Sequence, residues 1–468
     1  MWIGVRMKVL CNNLSIACIV LFFSVTNLLG QAPDILWTKM FGGADRDYGR
    51  SVKQTTDGGY IVAGFTYSFG GGLFDVYLVK TNTVGDTLWT KTYGGANTEA
   101  GRAVQQTTDG GYIIAGTFNP GGLNEDVYLI KTDSIGDTLW TKKYGWPGQD
   151  FAYAVQQTTD GGYITIGFTP QGPGGHIAPN ILLIKMDSLG NLSWYQTYGG
   201  YFSWDMGFSL QQTGDGGYII VGMTDYFNYD SSDVYLIKTD ANGDTIWSKT
   251  FGGASYDYGE SVRQTSDGGY IIVGETASFG TGDYDVYLIK TDSLGDTLWT
   301  RTYGGDQDES GLSVIESSDG GFVITGMTWS YAVGLADVYV IRTDTNGDTI
   351  WTKTIGGLEW DCGWSIQATS DGGYVIAGET KSFGAGDMDF YVIRIAPDTL
   401  NINEKKTWKV EHYDFGPTIF SGSLILPKAK KCKVFDIAGR VVMPDKIKAG
   451  IYFIEIDGQM TQKVVKIR

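Results

Sequence analysis

Thr107-Thr-Asp-Gly-Gly-Tyr-Ile-Ile-Ala-Gly116 decides how the rest of this 468-residue chain reads. Asp109-Gly110-Gly111 has the chemistry of a tight hairpin turn, because glycine accepts the positive φ such a turn needs. The run on either side is rich in β-branched and aromatic residues and suits strands. The same tetrapeptide, Asp-Gly-Gly-Tyr/Phe, begins at Asp57, Asp109, Asp160, Asp215, Asp267, Asp319 and Asp371, at steps of 52, 51, 55, 52, 52 and 52 residues.

Each repeat reads as four short strands, and the second repeat shows them well. They are Ala103 to Thr107, Gly111 to Gly116, Asp126 to Lys131 and Thr138 to Tyr144, with the Asp-Gly-Gly turn after the first and a Gly-Asp-Thr turn before the last. Four antiparallel strands every fifty residues or so are the mark of propeller blades. The fourth strand carries a tryptophan at Trp37, Trp89, Trp140, Trp194, Trp247, Trp299 and Trp351. Its first copy precedes every other strand, and the last repeat stops after its third, Phe390 to Ile395. The N-terminal strand can therefore complete the last blade and remove an open edge. The expected fold is all-β: a seven-bladed β-propeller over 33–397 closed by an N-terminal strand, a linker over 398–412 and a small C-terminal β-sandwich over 413–468.

Composition bounds the partners. Residues 31–404 carry a net charge of −26 and residues 405–468 a net of +7. So acidic a surface repels phosphate backbones, and nucleic acid is not expected as a partner. Residues 1–30 read as a cleaved export signal, with Arg6 and Lys8 before the apolar run Ile16 to Val25 and Gly30 before the cut; that run is too short to span a membrane, and no transmembrane span is expected in the mature chain. Cleavage leaves Cys362 and Cys432 in different predicted domains, so no disulfide framework is implied.

The stretches Thr132 to Trp140 and Thr291 to Trp299, Thr-Asp-x-x-Gly-Asp-Thr-x-Trp, resemble the tryptophan-docking repeat of pyrroloquinoline-quinone-type propellers and, with shifted spacing, the Asp-box hairpin of sialidases. Both are scaffold devices in those families, so the resemblance implies fold rather than chemistry. Beyond Pro397 the pattern changes. Val434 to Val442, Ala449 to Ile454 and Lys463 to Arg468 resemble the C-terminal sorting domain of the type IX (Por) secretion system, with Gly416-Pro417 where an Asn-Pro motif is usual. That resemblance implies recognition by the type IX machinery, passage through the periplasm, and release or attachment at the outer-membrane surface.

Comparison among repeats separates frame from candidate site. The two turn types barely change, whereas the loops after strands two and four vary and emerge on one face. Trp146, Tyr201, Trp204, Tyr229, Tyr258, Trp329 and Trp360 fall in or beside those loops and are the candidate ligand-binding residues; exposed aromatics suit sugar rings or protein anchors, and packing between blades is the competing role. An acid stands ten residues before each turn aspartate, at Asp47, Glu99, Asp150, Asp205, Asp257, Glu309 and Asp361. Such a ring suits calcium, a hard cation, but a residue kept in every blade more commonly does one structural job, here accepting backbone N–H bonds. Calcium is the one ion this ring would suit, and no other cofactor is expected. The basic position at Lys80, Lys131, Lys185, Lys238, Lys290, Arg342 and Arg394 reads as blade ion pairs, and the small residues Ser51, Ala103, Ala154, Ser209, Ser261, Ser313 and Ser365 as strands crowding towards the axis. With two histidines, His176 and His412, no catalytic residue is assigned. The expected function is an exported, non-catalytic propeller that binds a polysaccharide or protein at or beyond the cell surface. The alternative is an extracellular carboxylate-based glycan hydrolase or lyase, or a quinone-dependent oxidoreductase.

Overall fold

A computed structural model describes residues 31–398 apart from 123, 171–177, 201 and 226–230, and in the C-terminal segment 419–420, 432–436, 440–444, 447–456 and 459–466. The expected export signal over 1–30 lies outside the described residues. Among these residues there is no helix, and the strands form seven four-stranded antiparallel sheets and one five-stranded sheet.

The seven sheets are the blades. Blade 1 runs from its innermost strand Asp47–Gln54 through Tyr60–Thr66 and Asp75–Thr81 to its outermost strand Thr87–Tyr93. Blades 2 to 6 repeat that order from innermost strands Thr98–Gln106, Phe151–Gln157, Asp205–Gln212, Asp257–Gln264 and Glu309–Glu316. Blade 7 takes three strands from Asp361–Ala368, Tyr374–Thr380 and Asp389–Ile395, and its outermost strand is the N-terminal Ile35–Phe41. That strand pairs antiparallel with Asp389–Ile395, Thr38 opposite Ile393. The ring closes as the displaced first strand requires.

The core lies between blades rather than within them. One cluster joins Ile61, Val76 and Leu78 of blade 1 to Val104, Tyr112, Ile114 and Ile130 of blade 2. The second and third strands are thus covered on both faces, and all seven residues of Asp75–Thr81 are buried. This explains why these strands read as continuous apolar runs instead of alternating ones.

The repeated polar residues hold the frame. Gly58 has φ +80° at the first turn, where Asp57 accepts from the Gly59 N–H at 2.9 Å. Lys80, almost wholly buried, reaches back to Asp57 at 2.8 Å. The same pair recurs as Lys131–Asp109, Lys185–Asp160, Lys238–Asp215, Lys290–Asp267, Arg342–Asp319 and Arg394–Asp371. Partial burial opposes ionisation of Asp57, yet Lys80, Thr55 and the Gly59 N–H outweigh it and hold the carboxyl at about 2. On the outer rim each tryptophan docks on the next blade. Trp37 meets Tyr60 edge to face with centroids 5.6 Å apart. It also packs on Gly85, where a Cβ would lie 2.9 Å from the indole.

Blade 7 has no turn between its third and fourth strands to receive Trp351. Asp398 takes that place, accepting from Trp351 Nε1 at 3.0 Å, the Tyr374 hydroxyl at 2.7 Å and Arg342 Nε at 2.8 Å. Asp398, expected to open the linker, is part of the propeller frame. The chain divides into two compact units between Thr399 and Leu400. In the second unit the described strands form a single sheet, in the order Ile419–Phe420, Gln459–Lys466, Gly450–Ile456, Cys432–Asp436 and Val441–Val442, with Val434, Ile447 and Tyr452 buried. Part of the expected sandwich, including Ser423 to Leu426, lies outside the described residues.

The axial channel as candidate functional site

Every innermost strand carries a β-bulge at the same place. In blade 1 the register slips between Gly49 and Ser51, leaving Arg50 unopposed. The slip recurs at Arg102, Tyr153, Phe208, Glu260, Leu312 and Trp364. A bulge re-aims a side chain, and these seven line one cavity on the propeller axis of about 390 Å3. The facing glycine of the second strand makes the bulge possible. A Cβ at Gly274 would lie 1.7 Å from the Tyr258 carbonyl oxygen, and at Gly64 1.8 Å from that of Tyr48.

The frame around the bulge is nearly invariant and the bulge residue is not. Ser51, Ser209, Ser261, Ser313 and Ser365 follow it, and each hydroxyl oxygen accepts the N–H of the next blade's strand, for example Val104 N to Ser51 at 3.3 Å. Further along the strand, Gln105, Gln156, Gln211 and Gln367 clasp the neighbouring blade through a backbone N–H, Gln105 to Gln157 N at 2.6 Å. Lys53 and Arg263 occupy this position in blades 1 and 5 and line the channel instead.

The channel's charges are unevenly placed. Arg50 lies over the Trp364 ring at 4.2 Å and pairs with Glu379 at 3.3 Å. Arg102 lies over Tyr153 at 4.8 Å, and its buried Nε has no hydrogen-bond partner. Burial pushes Lys53 down to about 8, with the Arg263 charge adding to the effect. Burial pushes Glu260 up to about 8, with help from Glu275. At neutral pH Glu260 is therefore mostly protonated and Lys53 mostly charged.

The expected loop residues take separate places. Trp204 is exposed, whereas Trp146, Tyr258, Trp329 and Trp360 are half-buried. Trp146 packs against Tyr195 at 4.7 Å, and Tyr258 stacks with Tyr256 and Tyr284 at 6.4 and 6.5 Å. Tyr201 and Tyr229 lie outside the described residues. The acids Asp47, Glu99, Asp150, Asp205, Asp257, Glu309 and Asp361 are buried at seven separate blade entries, one per blade, each accepting a backbone N–H from the loop before its strand. Trp146 and Asp150 are brought together in this way at 2.6 Å, and burial pushes the Asp150 carboxyl up to about 6. Among the described residues no group of three or more His, Cys, Asp or Glu side chains converges as a metal centre would need.

Sequence reasoning passed over the bulge ring, although a signal was there. The residue just before Ser51 and its counterparts is Arg, Arg, Tyr, Phe, Glu, Leu and Trp in turn, between neighbours that hardly change. Because the bulge residue lies inside a strand whose neighbours repeat, its variation is masked by the constant frame around it.

The fold and channel define a seven-bladed β-propeller with a differentiated axial site. No protein-family model matches the chain. Regulatory protein FlaEY of Caulobacter vibrioides is 29% identical over 252 residues, which is 45% of this chain and 26% of that protein. The chain thus spans about a quarter of the curated relative it matches. Among solved structures, the Neurospora crassa Pan2 WD40 domain aligns at a TM-score of 0.46 and 9% identity, covering 76% of this chain and 89% of that one. A Bacteroides caccae protein of unknown function aligns at a TM-score of 0.37 and 11% identity, covering 63% and 96%.

Proposed function

We propose that the protein is an exported, non-catalytic binding propeller that takes a polysaccharide or a protein partner at the cell surface or outside the cell. One observation carries the reading. A frame held constant seven times presents seven bulge side chains that differ in charge, size and aromaticity. Repetition of structure with divergence at one inward position is what recognition of an asymmetric ligand needs. The variable loops, with Trp204 exposed among them, lie on the face from which the innermost strands start and offer a second candidate surface beside the channel. The leader pattern at Arg6, Lys8 and Ile16 to Val25, together with the type IX resemblance at Val434 to Val442, supports export. The relative's name, a regulatory protein, is in keeping with partner binding. Screening the full chain on a glycan panel and on cell-surface extracts tests the reading. Retained binding in both a Phe208→Ala/Trp364→Ala variant and a Trp204→Ala/Trp329→Ala/Trp360→Ala variant would remove the channel and the loop face as the site.

Two narrower readings have an observation each. Glu260, protonated at neutral pH in a channel, has the state a general acid needs, which favours a carboxylate-based glycan hydrolase or lyase. Turnover of a polysaccharide panel that disappears in Glu260→Gln would establish it. One carboxylate oxygen of Asp47, Asp257 and Asp361 carries no hydrogen bond, which favours calcium at the blade entries. A rise in thermal midpoint with calcium that EGTA reverses is the expected sign.

A further inference from the structure

We infer that the axial channel recognises the acidic end of a glycan, with a uronate carboxylate seated between Arg50 and Arg102. The inference rests on the binding reading above and names the ligand chemistry of the same site. Its ground is charge that the fold leaves uncompensated. Residues 31–404 carry a net of −26, yet the axis collects Arg50, Arg102, Lys53 and Arg263. Arg50 has a carboxylate partner, Glu379. Arg102, Lys53 and Arg263 form no ion pair among the described residues, and the Nε of Arg102 is buried without a partner. Holding such cations in a half-buried channel costs desolvation that an anion would offset. Arg50 and Arg102 stand at equivalent bulge positions of adjacent blades, and each guanidinium is held against aromatic rings, Trp364 for one and Tyr153 for the other. A planar fork fixed by stacking suits a planar carboxylate.

The rest of the lining argues for a sugar. The channel serines accept backbone N–H groups through their oxygens, so their own hydroxyl hydrogens remain to donate. Glu260 stands in blade 5, away from the arginine pair in blades 1 and 2, and in its protonated form both donates and accepts, as a hydroxyl-rich ligand requires. Phe208 and Trp364 supply apolar surface. The cavity of about 390 Å3 lies within the range of roughly 300–1,000 Å3 that encloses small ligands.

The test uses isothermal titration of the full chain with oligogalacturonate and with its neutral galactose counterpart. The expected result is binding of the uronate, about tenfold or more tighter than the neutral sugar and weakened by salt. Arg102→Ala and Arg102→Met should each lose about tenfold or more, with Arg102→Lys between them and wild type. Lys91→Ala, which removes a cation from the outer rim, should bind as wild type does. Thermal melts of each variant separate lost binding from lost folding. Equal binding of the neutral sugar, or uronate binding indifferent to both Arg102→Ala and Arg102→Met, overturns the inference and leaves the binding propeller standing. So does binding of acidic peptides in place of uronates. Absence of any glycan or protein ligand in the wider screens would overturn the reading beneath it as well.

Discussion

Trp351 gives its indole N–H to Asp398 across 3.0 Å, where the other outer-strand tryptophans, from Trp37 to Trp299, pack on the turn of the following blade. The cause is topological. The last blade borrows its outer strand from the N-terminus, so no hairpin follows its third strand, and a carboxylate fills the gap. Asp398 also binds the fully buried Arg342 and the Tyr374 hydroxyl. Asp398→Ala should destabilise the propeller by about 2–3 kcal/mol, because it strips one partner from a buried guanidinium and leaves two donors unmet. Lys91→Ala, from the exposed pair with Asp137, should change stability by well under about 1 kcal/mol. Denaturant unfolding of both variants checks the contrast.

The outer strand of blade 7, Ile35–Phe41, has no hairpin to its neighbour, unlike Thr87–Tyr93 of blade 1, tied through Gly85. Hydrogen exchange at its paired amides should therefore be faster than in the outer strands of the other blades. Trp37→Ala, which loses the contacts with Tyr60 and Gly85, should widen that difference. Exchange rates equal across all seven outer strands would count against the closure as the weakest seam.

Gly274→Ala forces a Cβ to within 1.7 Å of the Tyr258 carbonyl oxygen and should cost about 3 kcal/mol while displacing the Glu260 bulge. Gly95→Ala has open space around its Cβ and should stay within about 0.5 kcal/mol. Thermal melts of the two variants provide the comparison.

Stability should fall on both sides of a mildly acidic optimum. The turn aspartates Asp57, Asp160, Asp215, Asp267 and Asp319 sit at about 2 in the fold. A depressed carboxyl stabilises the fold above its unfolded value, and this contribution is lost as pH falls towards 2. Asp150 at about 6 and Glu260 at about 8 act in the other sense. Their folded forms hold protons that the unfolded chain has released, so stability declines as pH rises from the ordinary carboxyl range through those values. The thermal midpoint should peak at about pH 4–5, and Glu260→Gln should flatten the alkaline side. A midpoint that climbs steadily to pH 9 would contradict this assignment.

Much of the fold could be read from the chain. The spacing of Asp57, Asp109 and their counterparts counts the blades, and the early Trp37 strand announces the closure. The role of Lys80 and its equivalents as blade ion pairs followed from repetition, since a residue kept in every blade must do what every blade requires. The acids from Asp47 to Asp361 likewise bond the loop backbone, as repetition suggested. The candidate site was less legible. Trp146 and Tyr258 stand beside variable loops by pattern, yet both are half-buried, Trp146 against Tyr195 and Tyr258 in a stack with Tyr284, contacts that come from other strands or loops.

The sequence by itself determined the number of blades, their strand order and the way the ring shuts. These depend on local turn chemistry and on apolar runs, which are properties of consecutive residues. Only the tertiary structure decided that Arg50, Arg102, Tyr153, Phe208, Glu260, Leu312 and Trp364 face one another. They stand about fifty residues apart and meet because a bulge, allowed by a glycine on the facing strand, turns each of them towards a common axis.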